Sequence, residues 1–417
     1  MLPPAEASIV ARDPDLPGLR LLLDTDALTE RLSGLLGRSV SVQRRHLRYK
    51  PGRSCVLHVD ADGQPLLVTA TAPSEAAKHA KTLQRSAGAI VGTVPELQVL
   101  VGTPAADRDL PGVALLTDAD RRPLLLHRLL HTGPHVDPSA EPRLLRYKPH
   151  RRWVGLLPTL SGDSVLLRIQ RPAAARAAAA ALAALVAGEP RTPRLIGFYD
   201  RRGVLAAEYL RGQTAQDAPA ERLPAVGDAL ARLHRRTCPA LAEQDSRAEP
   251  QQVRAAAAQL GVLLPELTER AADLAERIAC RLSGLAPVRV PVHGDFSTDQ
   301  AVLGPDGAAG LIDLDSAVLG DPAADLGCAE AAMIADVLLG RLTDAERGLR
   351  LAALHAGYTD AGGPAEPERV RVHLAAHLLR LTAEPFRLGQ TSAWAEAATA
   401  LLTRAEAVAE DWAMVGT

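Results

Sequence analysis

The sequence predicts an α+β protein in which two β-rich segments precede a larger helical part. Residues 46–73 and 144–172 each contain apolar runs that are separated by turn residues and end at a proline, which is typical of short strands. From residue 213 onward, leucines and alanines recur at helical spacing with charged residues on the opposite faces. A dense group of aspartates at 291–327 interrupts these helices and marks the candidate site.

The composition is that of a globular protein with balanced charge. The 417 residues include 47 lysines and arginines, 49 aspartates and glutamates, and 47% apolar residues. No basic excess is available for nucleic-acid binding, and aromatic residues make up only 3%, too few for base-stacking platforms. The four cysteines are far apart and the apolar segments are too short to cross a bilayer. We therefore expect a cytoplasmic protein with no membrane or nucleic-acid partner. The sequence does not predict an oligomeric state.

A long internal repeat accounts for the β-rich part. The letters L-R-Y-K-P occur at 47–51 and again at 145–149, each followed by two apolar runs, a proline and a helical stretch. Two further apolar runs follow in each copy, and in the first copy they are residues 95–102 and 112–130. Each copy is predicted to form three strands, a helix and two more strands. The length of the repeat indicates a duplicated small domain rather than a solenoid.

Three oxygen-bearing side chains of the aspartate-rich segment are predicted to converge. The residues between Gln300 and Asp313 form two short apolar runs around a G-P-D-G turn, which is a β-hairpin pattern. Folding of this hairpin makes Gln300 and Asp313 neighbours, and Asp295 lies on the loop that enters it. Mg²⁺ takes oxygen ligands from one or two protein side chains and completes its shell with phosphate oxygens and water. The segment therefore predicts a metal site beside a general base.

The same residues carry a resemblance to a known family. H-G-D-x-x-x-x-Q at 293–300, I-D at 312–313 and D-P-x-x-D-L at 321–326 together resemble the signature of the aminoglycoside phosphotransferase and choline kinase group. The resemblance implies a two-lobed protein-kinase-like fold, with a β-rich N-lobe and a helical C-lobe, preceded here by a duplicated N-lobe-like unit. The predicted domains are the N-lobe-like unit, the N-lobe and the C-lobe, at 1–139, 140–212 and 213–417.

The resemblance also implies roles for individual residues. Asp295 is expected to orient and deprotonate the acceptor hydroxyl. Gln300 and Asp313 are expected to hold Mg²⁺, with Asp313 linking it to the phosphates of ATP. The hinge, where backbone groups would meet the adenine, is expected at Glu208, Tyr209 and Leu210.

The sequence departs from the family pattern at three points. Gln300 replaces the usual asparagine, an arrangement that is similar to the maltokinases and keeps a carbonyl ligand. Arg168 stands where the family has a lysine that anchors ATP, and arginine retains the charge that suits phosphate. The following helical stretch, 172–188, has no acidic residue to pair with that cation. We therefore expect either Arg168 or Lys148 to contact the phosphates.

Other polar residues of the motif have structural interpretations. Asp321 and Asp325 stand where N-caps belong, so we expect both to bind backbone amides at helix starts. His293 is expected to pack and hydrogen-bond within its loop rather than to transfer a proton.

The predicted function is ATP- and Mg²⁺-dependent transfer of the γ-phosphoryl group to a hydroxyl of a small molecule, such as a sugar, an aminoglycoside or an amino alcohol. Two alternatives stay open. One is a kinase that acts on serine or threonine of a peptide, with 1–139 as a docking surface. The other is a nucleotide-binding pseudokinase scaffold, which the missing Lys–Glu pair favours. We also expect the 1–139 unit to pack on the N-lobe as a cap that shapes access to the cleft.

Overall fold

The chain forms two compact units. The computed structural model describes residues 2–131, 133–137, 139–186, 188–389 and 393–414. The first unit comprises Met1–Arg176, Ile196–Ala207 and Pro385–Ala395. The second unit comprises Ala177–Leu195, Glu208–Glu384 and Glu396–Thr417. The boundary predicted at 139/140 lies inside the first unit and stays a prediction. Among the described residues, no helix is long and apolar enough to cross a membrane.

The first unit begins with three helices and a five-stranded antiparallel sheet. The helices are α1 (Pro4–Arg12), α2 (Leu19–Leu23) and α3 (Thr25–Leu36). The strands are β1 (Val42–Lys50), β2 (Ser54–Ala61), β3 (Gln64–Thr71), β4 (Ile90–Val94) and β5 (Val99–Gly102), with α4 (Ala76–Arg85) between β3 and β4. Their order in the sheet is β1-β2-β3-β5-β4.

A second sheet repeats this order of strands. It follows the helices α5 (Pro111–Thr117) and α6 (Arg122–Leu130). Its strands are β6 (Arg143–Lys148), β7 (Arg152–Pro158), β8 (Ser164–Gln170), β9 (Leu195–Tyr199) and β10 (Val204–Glu208), with α7 (Pro172–Leu185) between β8 and β9. The order in the sheet is β6-β7-β8-β10-β9. Both segments thus have the predicted order of three strands, a helix and two strands.

One predicted strand region is wrong. Residues 112–130, read from the sequence as the last apolar run of the first copy, form α5 and α6, and β5 is the last strand instead. The buried residues of this region recur every three or four positions, as in Leu126 and Leu129, which is the period of a helix and not of a strand. Pro111 at the first turn of α5 also suits a helix start.

The two sheets of the first unit share one hydrophobic core. Val56 and Leu67 of the first sheet belong to the same buried cluster as Trp153 and Ile169 of the second. Residues of α5 and α6 complete this cluster, among them Val113, Leu116, Leu126 and Leu129. Burial of this apolar surface is the main term that stabilises the unit.

Two buried aspartates hold the turns that follow β1 and β6. The Tyr49 hydroxyl and the backbone N–H of Gly52 donate to Asp13, at 2.7 and 2.9 Å. In the second copy, the Tyr147 hydroxyl and the backbone N–H of His150 donate to Asp107, at 2.9 and 2.7 Å. Each L-R-Y-K-P segment is therefore fixed by a carboxylate from an earlier loop.

The environment of Asp107 compensates its charge. Burial would raise the pKa of Asp107, but the imidazole and backbone N–H of His150 and the hydroxyl of Tyr147 outweigh burial and leave the pKa below its usual value. Burial also raises the pKa of Tyr147, with Asp107 adding to the effect. The phenol therefore stays protonated and donates a hydrogen bond to Asp107. The pair is a buried, satisfied hydrogen bond.

A late segment of the chain completes the first unit. The short helix α14 (Glu384–Leu388) and the start of α15 (Trp394–Met414) supply Phe386 and Trp394, which are 2% and 1% exposed. Phe386 stacks edge-on against both Tyr49 and Trp394, with ring centroids 6.4 and 4.9 Å apart. Such contacts stabilise aromatic clusters beyond the area that they bury.

The second unit is mainly helical. Its longer helices are α8 (Leu223–His234), α9 (Ala248–Leu263), α10 (Thr268–Gly284), α11 (Pro322–Leu338), α12 (Asp344–Asp360), α13 (Pro367–Leu381) and most of α15. Short strands lie between them: β11 (Gln213–Thr214), β12 (Val290–Val292), β13 (Ala301–Leu303), β14 (Ala309–Leu311) and β15 (Val318–Gly320). They pair as β11-β13-β14 and β12-β15.

We expect Tyr147→Phe to lower the free energy of unfolding by about 1–3 kcal/mol, because the buried Asp107 Oδ2 loses one of its two donors and keeps only the backbone N–H of His150. Urea denaturation of the full chain measures this change. Tyr209→Phe is the control, since Tyr209 is 37% exposed. Equal stabilities of the two variants would show that the buried hydrogen bond contributes nothing.

Candidate active site

The hairpin predicted from the sequence is present in the second unit. Strands β13 and β14 pair antiparallel, with Ala301 opposite Leu311 and Leu303 opposite Ala309. The Ile312 N–H donates to the Gln300 carbonyl at 2.9 Å, so the pairing extends to the positions beside Asp313. The predicted proximity of Gln300 and Asp313 along the backbone is therefore confirmed.

The backbone turns sharply at Asp313. Its φ of 63° and ψ of 37° lie in the left-handed region, which aspartate tolerates better than most residues. This conformation ends β14 and starts the short helical turn at Leu314–Ser316. The Asp313 side chain is half-buried at the end of the hairpin.

The loop that carries Asp295 is tied to the same hairpin. His293 is completely buried, and its Nε2 donates to the Ile312 carbonyl at 2.8 Å. Gly294 has a φ of 90°, and a Cβ at that position would lie 2.3 Å from the Ser316 carbonyl oxygen. Only glycine lets the loop approach so closely. Asp295 is thereby brought to the end of the hairpin that carries Gln300 and Asp313.

His293 places a charge beside Asp295. Its Nδ1 lies 3.2 Å from Asp295 Oδ1, a distance typical of an ion pair. Burial would lower the pKa of His293, but the carboxylates of Asp295 and Asp325 outweigh burial and raise the pKa to about 9. Neither Nδ1 nor Oδ1 has a well-aligned hydrogen bond within the described part of the chain. The Asp295 side chain is still 42% exposed, so a substrate can reach it.

The side chain of Asp325 holds this loop in place through hydrogen bonds to its backbone. Its buried carboxylate accepts hydrogen bonds from the backbone N–H groups of His293 and Gly294, at 2.6 and 2.8 Å. A third bond comes from His234 Nε2 at 3.0 Å, and His234 Nδ1 bonds in turn to the Tyr358 hydroxyl at 2.8 Å. Burial would raise the pKa of Asp325, but His234 and His293 keep it below the usual value. The carboxylate therefore stays charged.

The predicted roles of Asp321 and Asp325 differ in outcome. Asp321 is the N-cap of α11 and accepts from the Ala323 N–H at 3.0 Å, as expected. Asp325 binds backbone amides too, but they belong to the loop at 293–294 and not to a helix start, so its assignment as an N-cap is wrong. His293 packs and hydrogen-bonds within its loop, as predicted.

Gln300 is oriented by its own loop. Its Oε1 accepts a hydrogen bond from the Ser297 N–H at 3.1 Å. The Gln300 N–H donates in turn to the Ser297 hydroxyl, and the two bonds together form a capping box. A carbonyl oxygen has a second lone pair, so this bond leaves room for a further interaction. The Thr298 hydroxyl donates to Gln216 at 2.9 Å and fixes the other side of the turn.

The donor set of Gln300 and Asp313 suits a hard cation. It offers one amide oxygen and one carboxylate, the ligands that Mg²⁺ prefers. In the described ranges, no group of three or more His, Cys, Asp or Glu side chains could hold a metal ion by itself. A metal bound to these two residues would therefore complete its shell with water and phosphate oxygens, as Mg²⁺–nucleotide sites do.

The predicted hinge residues lie beside the hairpin. Glu208 ends β10, and its side chain accepts a hydrogen bond from Arg191 at 2.7 Å. Leu210 is buried, and its Cδ1 lies 3.0 Å from the position that a Cβ would take at Gly310 of β14. Tyr209 points outward with 37% exposure.

Arg168 and Lys148 lie in the first unit. Arg168 is on β8, paired opposite Val154, and is only 7% exposed. Lys148 ends β6 opposite Arg152 and is half-buried. The two residues are on strands separated by β7, so they are not neighbours in the sheet. Which of them contacts phosphate stays a prediction.

Several supporting residues were not predicted. His234, Gln216 and Ser297 make side-chain contacts that fix the site, and Arg350 donates to the carbonyls of Ala215 and Ala218 at 2.7 and 2.6 Å. A sequence signal exists only for Ser297, as the start of an S-x-x-Q capping box. The other partners are distant in sequence.

A second buried network holds the start of α11. Asp321 is paired with Arg369 and with His373 Nε2, the latter at 3.3 Å, while His373 Nδ1 bonds to Glu249 at 2.9 Å. Burial would lower the pKa of His373, but Asp321 and Glu249 outweigh it and raise the pKa to about 9. Burial would raise the pKa of Asp321, but His373 and Arg369 bring it to about 2.

Comparison with known proteins gives a family match. Residues 156–373, more than half of the chain, match the model of the phosphotransferase enzyme family. A search of curated proteins gave no significant match.

The chain is similar to several solved structures. An amicoumacin kinase in complex with AMP-PNP, Ca²⁺ and its ligand has 15% identity over 72% of this chain and 96% of that one, with a TM-score of 0.52. A macrolide 2'-phosphotransferase from Brachybacterium faecium has 19% identity over 68% and 97%, with a TM-score of 0.44. A choline/ethanolamine kinase family protein from Mesorhizobium loti has 20% identity over 72% and 94%, with a TM-score of 0.45. The first of these similarities and the family match confirm a kinase-like α+β fold.

The network around His373 makes stability depend on pH. In the unfolded chain the histidine titrates near its ordinary value of 6.5, and in the folded chain near 9. Its contribution is therefore fully present below about pH 6.5 and is lost as the pH rises through 9. We expect the free energy of unfolding of wild type to exceed that of His373→Gln by up to about 3 kcal/mol at low pH, and the difference to shrink toward pH 9.

His377→Gln on the same helix is the matched control. Burial lowers the pKa of His377 far below its usual value, so this histidine stays neutral in the folded chain. The contribution of His377 to the free energy of unfolding therefore decreases as the pH falls below about 6.5. The difference in this free energy between wild type and His377→Gln should shrink toward low pH, whereas the difference for His373→Gln grows. Denaturant unfolding from well below pH 6.5 up to pH 9 measures both slopes, because the His377 slope lies below about pH 6.5 and the His373 slope above it. Slopes of the same sign would contradict the assignment.

Proposed function

Since the chain belongs to the phosphotransferase enzyme family and is a phosphotransferase with an alcohol group as acceptor, we propose that it transfers the γ-phosphoryl group of ATP to a hydroxyl of a small molecule with the help of Mg²⁺. The observation that carries the proposal is the convergence of Asp295, Gln300 and Asp313 at one end of a hairpin. Phosphoryl transfer requires mainly positioning and neutralisation of charge. Asp295 would supply the positioning of the acceptor, and a metal held by Gln300 and Asp313 would neutralise the charge.

Each residue has a distinct role in this proposal. Asp295 accepts the proton of the attacking hydroxyl and orients its oxygen, while the imidazolium of His293 holds the carboxylate in place. Gln300 and Asp313 hold the metal, which when bound neutralises negative charge on the phosphoryl oxygens. Arg168, or Lys148 in its place, contacts the phosphates. The backbone at Glu208, Tyr209 and Leu210 meets the adenine.

The acceptor is proposed to be a sugar, an aminoglycoside or an amino alcohol. This class follows from the resemblance of the H-G-D-x-x-x-x-Q segment, whose family phosphorylates small molecules. A peptide acceptor is the alternative, and a screen that offers both kinds of hydroxyl separates the two.

We further propose that the first sheet is a duplicate of the N-lobe sheet and packs on it as a cap. The equal order of strands supports this, as does the pair of aspartates, Asp13 and Asp107, that bind equivalent tyrosines. The shared core supports packing of one copy on the other. The duplication then extends to the helices before each sheet, since α2 starts directly after the letters D-x-D-L-P-G at 13–18 and α5 starts within the same letters at 107–112.

Calorimetric titration with ATP, with and without Mg²⁺, tests the metal site. Asp313→Ala is expected to abolish Mg²⁺-dependent binding, because it removes the one carboxylate of the donor set. Asp295→Asn is expected to keep ATP binding but to lower kcat by about 10²–10⁴, because it removes the proton acceptor.

Asp344→Asn serves as the control, since this carboxylate is 76% exposed on α12. Binding of ATP that is indifferent to both Mg²⁺ and Asp313→Ala would favour the pseudokinase scaffold instead. Loss of ATP binding in Asp295→Asn would contradict the role of Asp295 as base.

Deletion of residues 1–139 tests the relation between the two copies. The deletion removes α5 and α6 and also Asp107, which are part of the core and turn of the second sheet. We expect the remaining chain to lose cooperative unfolding, as followed by circular dichroism. A truncated chain that folds and turns over its acceptor normally would show that the first copy is a dispensable addition.

A further inference from the structure

A small cavity of about 70 Å³ lies in the first unit, and no residue assigned to phosphoryl transfer is among those that line it. Its floor is the face of the first sheet that carries Val56, Leu67 and Leu100. Its rim is formed by α4 and by the segment after β5, which supplies Arg108. Since one water needs about 10–15 Å³, the cavity has room for a few waters or a small head group, and not for a whole nucleotide.

Helix α4 faces this cavity with its polar side chains. Lys78, His79 and Thr82 line the cavity, whereas Leu83, the one leucine of the helix, is 40% exposed. A helix that only covers a sheet turns its apolar residues inward. No residue of this helix, all of which is described, is buried. Apolar packing therefore does not account for the residues that α4 presents to the sheet.

The lining is cationic. Lys78 and Arg108 both line the cavity, and none of the described residues that line it is acidic. Arg108 is half-buried and donates to the Thr82 hydroxyl at 3.3 Å. Within the described chain, neither Lys78 nor Arg108 forms an ion pair with a carboxylate. Two positive charges are thus left to face the same small space.

Neighbouring cations add to the positive field. The pKa of Lys50, at the end of β1, is below its usual value because Arg48 repels its proton, with burial and then Lys78 and Arg53 adding to the effect. The nearby carboxylates are already engaged, since Glu75 pairs with Arg53 at 2.7 Å. An anion bound at the rim would relieve this repulsion.

Hydroxyl groups supply the remaining polar surface. Ser54, Thr69 and Thr71 line the cavity from the strands. The Thr71 hydroxyl is hydrogen-bonded to His79 Nδ1 at 2.9 Å, and burial lowers the pKa of His79, so this histidine is neutral near pH 7. His150 lines the cavity as well, fixed by its bonds to Asp107. Hydroxyls beside a lysine and an arginine are the donors that bind phosphate and carboxylate groups.

We propose that this cavity is a binding site for a small metabolite with an oxyanion head group, a phosphate or a carboxylate, held by Lys78 and Arg108. The apolar floor at Val56, Leu67 and Leu100 suits a short carbon skeleton attached to that head group. The site is distinct from the proposed phosphoryl-transfer site, because none of the residues that line the cavity is assigned to the base, the metal, the phosphates or the adenine.

Calorimetric titration of the full chain at constant ionic strength, without nucleotide or Mg²⁺, tests the proposal. The probes are inorganic phosphate, glycerol 3-phosphate and malonate. One of them is expected to bind with one site per chain. Lys78→Ala and Arg108→Ala are each expected to weaken this binding about tenfold or more, because each removes a charge-assisted hydrogen bond.

Matched controls lie on the same helix. Lys81→Ala and Arg85→Ala remove exposed charges of α4 that do not line the cavity, and both are expected to bind the probe as wild type does. Binding of the phosphates alone identifies a phosphoryl head group, and binding of malonate alone a carboxylate. No binding of any probe, or equal weakening by Lys81→Ala and Lys78→Ala, would overturn the site. Persistence of full affinity in Lys78→Ala and Arg108→Ala would overturn it too, since the anion would then be bound elsewhere. Urea unfolding of every variant confirms that it is folded.

Discussion

The site depends on one buried negative charge, the carboxylate of Asp325. Removing a carboxylate from water is unfavourable by several kcal/mol unless hydrogen bonds and opposite charge compensate it. Here the compensation comes from the backbone of His293 and Gly294 and from the imidazole of His234. If the loop at 293–295 moves, the charge is left uncompensated, and the free energy of the whole unit rises. The position of the loop that carries the proposed base is therefore fixed by the stability of the fold.

Local patterns predicted the parts of the site that local geometry decides. The G-P-D-G turn specifies the hairpin, and the hairpin places Gln300 near Asp313. The role of Asp325 was not predictable in this way, because its amide partners are 31 and 32 residues away. A helix has one N-cap, and Asp321 occupies it. Asp325 lies a turn further on, where side chains tilt back toward the helix N-terminus and thus toward the loop. The spacing in the sequence indicates the direction of the Asp325 side chain, but it does not indicate which backbone amides that side chain meets.

The β-rich part shows the same division. The apolar runs predict the number and order of the strands in both copies, but they miss β4 (Ile90–Val94) and assign a strand to 112–130 instead. There an apolar run without clear alternation is equally compatible with a strand and with a buried helix, and only packing in the shared core decides. The letters D-x-D-L-P-G at 13–18 and 107–112 could have resolved it, since a short helix starts at or near the end of each and each supplies the aspartate that binds the next tyrosine.

The chain order of the two units has a consequence for synthesis. The first unit receives its last piece, Pro385–Ala395, only after almost the entire second unit has been translated. Phe386 and Trp394 cannot stack beside Tyr49 until that segment leaves the ribosome. Part of the apolar surface of the N-terminal sheets therefore stays exposed while the helical unit is synthesised and folds. Domains usually fold in the order in which they emerge. In this chain Pro385–Ala395 complete the part that was made first, so an interrupted message would yield a complete β13–β14 hairpin but an unfinished β-rich unit.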